Sequence, residues 1–153
     1  MALLFAKEVA EETWLGIWRI EESADWFRSQ LMLDENENTL IDAIKHPQRK
    51  LHWLSSRVLI RTMMQTDQFI HLENDLNGKP VIHNFPVELS LSHSADLSAL
   101  LISKKYKVGI DIEIVQKEFA LIRKENLLPD DFEIIASVAS VDLFLENPFD
   151  NYH

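Results

Sequence analysis

The chain has 153 residues, enough for one domain or a domain and a half with a real core. A net charge of −10 argues against general nucleic-acid binding, and the lack of cysteine excludes disulfides, thiolate chemistry and Cys-type zinc sites. No apolar run approaches the ~20 residues of a membrane span, and Met1 to Lys7 has neither the basic start nor the long apolar stretch of a signal peptide, so the expected location is the cytoplasm, away from membranes.

In chain order, Thr13 to Ile20 is rich in aromatic and β-branched residues and predicts a strand. Glu21 to Leu31 predicts a short amphipathic helix with Ser23 as N-cap, and Asn36 to Ile44 predicts another. Pro47 suits the first turn of a third helix. From Gln48 to Gln65 there is no breaker, and Leu51, Leu54, Val58, Leu59 and Met63 fall at helical spacing, which predicts one long helix. Phe69 to Glu73 reads as a strand and Asn77-Gly78 as a turn. Short strands follow at Val87 to Ser92, Leu97 to Ser103 and Lys107 to Val115. Helices first and a mainly antiparallel sheet afterwards make the expected class α+β, with that sheet packed on the long helix. The apolar run Ile134 to Leu145 is expected to form a helix starting near Asp130 or Asp131, ahead of a frayed polar end.

The chemistry-bearing stretch is Val108-Gly109-Ile110-Asp111-Ile112-Glu113. Strand alternation puts Asp111 and Glu113 on one face, where two carboxylates repel each other. A hard divalent cation held by carboxylate oxygens and water would offset that repulsion. The bland alternative is a pair of surface carboxylates on an edge strand. His93 ends another apolar strand, Leu89-Ser90-Leu91-Ser92-His93-Ser94, and is expected beside that site; its bland alternative is a structural histidine. Lys50, Arg57 and Arg61 fall on one helical stripe, either a solvated face or a basic wall. Trp14, Trp18, Trp26 and Trp53 read as packing residues, and His46, His52, His71 and His83 as incidental.

Taken together, Arg49-Lys50 with Trp53 and Arg57, then Gly78-Lys79-Pro80, then Leu91-Ser92-His93-Ser94, then Val108 to Glu113, resemble the 4′-phosphopantetheinyl transferases, and most of all their larger, surfactin-type members. The resemblance runs from about Ile41 to Val115. Each motif alone is weak, but their order and spacing together are specific. The resemblance implies transfer of the phosphopantetheine arm of coenzyme A to a serine of an acyl or peptidyl carrier protein, with Mg²⁺, in lipid, polyketide or nonribosomal peptide biosynthesis. It implies Asp111 and Glu113 as metal-binding carboxylates and His93 as a catalytic contact to coenzyme A phosphate. Ser92 would lie in the phosphate region and Lys79 and Pro80 along the nucleotide. Lys45, Arg49 and Arg57 would point towards the 3′-phosphate. The implied fold is one half of a pseudo-two-fold transferase.

One family feature is missing. The second half of such enzymes carries a Trp-x-x-Lys-Glu motif, but no tryptophan follows Trp53, and Lys117-Glu118 and Lys124-Glu125 lie too close to Glu113. The expected organisation is therefore an N-terminal half-domain over 1–115 and a divergent or truncated tail over 116–153. Two functional readings remain: a transferase incomplete in this chain, or a non-catalytic half-domain that binds coenzyme A or a carrier protein. An exposed half-interface would favour self-association.

Overall fold

The computed structural model describes residues 3–114, 132–138 and 141–146, with side chains from 3 to 113. The Lys-Glu pairs at 117–118 and 124–125 lie outside the described residues, as does the polar end. Strands β1 (Leu3–Ala10), β2 (Thr13–Arg19), β5 (Glu88–Ser94) and β6 (Leu97–Ser103) form one antiparallel sheet in the order β1-β2-β6-β5. This leaves β5 as an outer strand. Every residue of β6 is buried, so its two polar members need partners. They have them: Ser98 Oγ lies 2.7 Å from Ser55 Oγ, and Ser103 Oγ lies 2.8 Å from Thr13 Oγ1.

Strand alternation divides the sheet into two cores. One face presents Trp18, Leu89, Leu100 and Ile102 to the helices. The other presents Leu15, Ile17, Leu97, Ala99 and Leu101 to Phe5, Val108 and Ile112. The helices are α1 (Ala24–Ser29), α2 (Glu35–Ala43) and α3 (Pro47–Met64). Each starts at a cap that satisfies an otherwise unpaired amide. Ser23 Oγ accepts from Trp26 N–H, Asp34 and Glu37 form a reciprocal capping box, and His46 Nδ1 accepts from Arg49 N–H, with Pro47 opening α3. Leu54 and Leu59 of α3 are fully buried, worth about 2 kcal/mol each by area. Gly16 of β2 lets α3 come close, because a Cβ there would stand 2.7 Å from Met63 Sδ.

Strands β3 (Leu72–Asn74) and β4 (Pro80–Ile82) pair as a hairpin. Its turn is held by Asp75, whose Oδ1 accepts from Asn77 and Lys79 N–H, and Gly78 takes the left-handed φ of +82°. Strand β7 (Val108–Ile114) pairs with β8 (Phe132–Val138), which pairs with β9 (Val141–Glu146), both antiparallel.

The α+β class, the long helix and the antiparallel sheet packed on it all stand as expected. The tail does not. The run Ile134 to Leu145 forms β8 and β9, not a helix. Its β-branched residues suit strands, and β7 offers an edge to extend. The N-terminal strand β1 was not anticipated, and β3 starts later than the Phe69 expected for it.

Candidate functional site

Val108 and Ile112 of β7 face the second core, so alternation sends Asp111 and Glu113 to the opposite face. Both are exposed. Gly109 precedes them on that face, and a Cβ there would meet nothing within 4 Å, so the approach to Asp111 is clear. Two accessible carboxylates with oxygen donors suit a hard cation that keeps much of its own water. Among the described residues, no group of three or more metal-ligating side chains converges.

Strand β5 reaches β7 through hydroxyls. Ser90 Oγ accepts from Ile110 N–H at 3.1 Å, and Ser92 Oγ accepts from Ile112 N–H at 3.1 Å. Ser92 also donates to Asp111 Oδ1 at 3.4 Å. The two motifs, far apart in the chain, therefore meet at Ser92 and Asp111.

His93 sits on the other face of β5. Its ring stacks on His52 of α3, with centroids 4.7 Å apart and planes at 15°. Burial first, and then the nearby His52 and Arg57, push its pKa down to about 4, against a hydrogen bond to the backbone of His52. His93 is thus neutral at pH 7, and its Nε2 is buried without a partner. His52 is fixed from the turn between β5 and β6: its Nε2 donates to Ala95 O at 2.8 Å, beside Gln48 Nε2 at 3.2 Å. A carbonyl only accepts, so Nε2 of His52 carries the proton.

Over 90 residues the chain is 33% identical to 4′-phosphopantetheinyl transferase AcpT of Salmonella typhi, a match covering 58% of this chain and 45% of that protein. The AcpT of Salmonella typhimurium matches with the same figures. The AcpT of Escherichia coli K12 is 37% identical over 70 residues, covering 44% of this chain and 34% of its own length. Over this stretch the chain is related to the 4′-phosphopantetheinyl transferases. It spans less than half the length of these curated relatives. No protein-family model matches it.

The remaining residues of the transferase resemblance are spread around α3 and the first hairpin. Lys45 and Arg49 are exposed at the entry to α3, and Lys79 and Pro80 are half-buried where the hairpin turn passes into β4. Arg57 is set differently. Its guanidinium lies 3.9 Å from the Trp53 ring centroid, its Nη1 donates to Ser56 Oγ, and its Nε is buried without a partner. Burial lowers its pKa to about 10, and Glu37 works against that shift. It lines a cleft of about 410 Å³ with Asp34, Glu37, Trp53 and His71. Arg61, on the same stripe, donates to Thr66 O and Gln68 O, so it closes the loop after α3.

Two residues that brace the surrounding strands escaped sequence reasoning. His52 has no ligand spacing to any other histidine, and only the packing of α3 against β5 pairs it with His93. Ser90 was legible as alternation, but its bond to β7 was not. His71 and His83, far from incidental to each other, meet across the hairpin, both bonding Glu73 at 2.9 and 3.3 Å.

Proposed function

We propose that this chain provides the cation- and nucleotide-binding half of a 4′-phosphopantetheinyl transferase. The observation that supports it most is the contact between Ser92 and Asp111, which joins the Leu91-Ser92-His93-Ser94 strand to the Gly109-Ile110-Asp111-Ile112-Glu113 strand. The three matched AcpT proteins support the same family reading.

In this reading coenzyme A is the substrate and an acyl or peptidyl carrier protein the acceptor, in the cytoplasm. A carrier serine oxygen bonds to the β-phosphorus as the bond to 3′,5′-ADP breaks, and the serine proton passes to solvent. Such a transfer depends mostly on positioning and charge neutralisation. Asp111 and Glu113 hold Mg²⁺, which when bound supplies charge neutralisation at the pyrophosphate. His93 would contact a phosphate oxygen through its unpaired Nε2, which must carry a proton to donate, since the backbone of His52 takes the one N–H of the neutral ring. Ser92 lies in the phosphate region through the carboxylate it meets, and His93 follows it on the opposite face of β5. Lys79 and Pro80 flank the nucleotide, and Lys45, Arg49 and Arg57 lie towards its 3′-phosphate. Residues 1–115 form the half-domain, one unit of a pseudo-two-fold whole, and 116–153 its divergent tail. Self-association through an exposed half-interface belongs to the same reading.

A second reading is a half-domain that binds coenzyme A or the carrier without transfer. Incubating the chain with coenzyme A, Mg²⁺ and an apo carrier protein, then weighing the carrier by mass spectrometry, separates the two. A gain of the phosphopantetheine mass that is lost in Asp111→Ala is the outcome expected of a transferase. No gain, with coenzyme A still bound by a folded chain, leaves the binding half-domain; no binding at all defeats both.

A further inference from the structure

We propose that Ser92 is a positioning residue for the carboxylate of Asp111. The inference rests on reading Asp111 and Glu113 as cation ligands, and it adds to that reading what orients the first of them.

The argument starts from strand geometry. Backbone amides alternate sides along a strand. Strand β7 pairs with β8 on one side, in register from Val108 opposite Val138 to Ile114 opposite Phe132. The amides of Ile110 and Ile112 point to the other side, and the hydroxyls of Ser90 and Ser92 take them, each at 3.1 Å. Hydroxyls two residues apart on β5 thus replace a backbone ladder. A serine hydroxyl has one proton and two lone pairs. In Ser92 one lone pair serves Ile112, and the proton goes to Asp111 Oδ1. The group is therefore already committed to β7.

Its neighbour supplies an internal control. Each serine meets an amide of β7, and the two differ in the residue that precedes that amide. For Ser92 that residue is Asp111; for Ser90 it is Gly109, which has no side chain. The two clips match in backbone contact and differ in the carboxylate. Asp111 is otherwise exposed, so its rotamer depends on this hydroxyl. A carboxylate held through one oxygen keeps its remaining lone pairs for a cation. Losing such a supporting bond typically weakens metal binding 10- to 100-fold.

Mn²⁺ titrated into ¹⁵N-labelled chain broadens the amide signals near its site, which reads binding without turnover. Signals of residues 109–113 are expected to broaden in the native chain. In Ser92→Ala the concentration giving half-maximal broadening should rise about tenfold. Ser92→Thr should restore it to within about threefold, a margin set well inside that change. Ser90→Ala should leave it unchanged while speeding exchange of the Ile110 amide. If Ser92→Ala does not fold, Ser92→Cys retains similar volume with a weak donor and should also weaken binding. Equal weakening in Ser90→Ala and Ser92→Ala overturns the proposal, because both then act only through strand packing. Unchanged binding in a folded Ser92→Ala overturns it as well. No broadening near Asp111 in the native chain overturns the cation reading itself, and the proposal with it; faster exchange of Ile112 in Ser92→Ala would then mark a purely structural clip.

Discussion

The two faces of β5 are built from different materials. Leu89 and Leu91 turn towards α3 and the first core, with Leu89 almost completely buried. Ser90 and Ser92 turn towards β7 and hold it by hydroxyls. One face is secured by non-directional burial, the other by directed hydrogen bonds. The lesson is a division of labour within seven residues: the apolar face anchors the strand, so the polar face can position a carboxylate that must stay wet. His93 extends the apolar face to the strand's end, where burial keeps it neutral.

This contrast is open to direct attack. The largest effect is expected on the apolar face. Leu89→Ala removes a buried side chain and should cost about 3 kcal/mol, read as a lower denaturant midpoint at unchanged slope. Next comes the acid response of His93. The unfolded chain takes a proton near pH 6.5, whereas the folded chain resists until about 4. Stability should therefore fall as pH drops from about 6.5 to about 4, by at most ~3 kcal/mol. His93→Gln should flatten that part of the pH profile in urea titrations. A smaller effect is expected on the polar face, where Ser90→Ala leaves the Ile110 amide without its hydroxyl and should cost about 1 kcal/mol. A loss as large as that of Leu89→Ala would erase the distinction between the faces. The smallest effect belongs to the exposed hairpin. Glu73 is held below the usual carboxylate range mainly by its bond to His71, yet an exposed pair contributes little, so Glu73→Gln should leave the thermal midpoint within error.

Helical spacing and strand alternation made most elements legible. Ser23 and Pro47 marked two helix starts, and Leu97 to Ser103 read as a strand, which the structure shows to be buried throughout. The run Ile134 to Leu145 was misjudged because a short apolar stretch has no period that separates strand from helix; the edge of β7 decided it. The basic stripe on α3 looked uniform, but Arg57 packs on Trp53 and Arg61 on loop carbonyls. Spacing places a charge on a face without saying what lies opposite.

By itself, then, the sequence determined the α+β class, the long capped helix, the common face of Asp111 and Glu113, and the family likeness carried by its ordered motifs. These are local properties, set by periodicity, caps and the chemistry of side chains close in the chain. Tertiary structure alone decided that Ser92 meets Asp111 across 19 positions, that His52 stacks on His93 across 41, and that β8 and β9 extend β7. Such meetings depend on how two elements pack, and pairing of residues distant in the chain is not written in the spacing of either one.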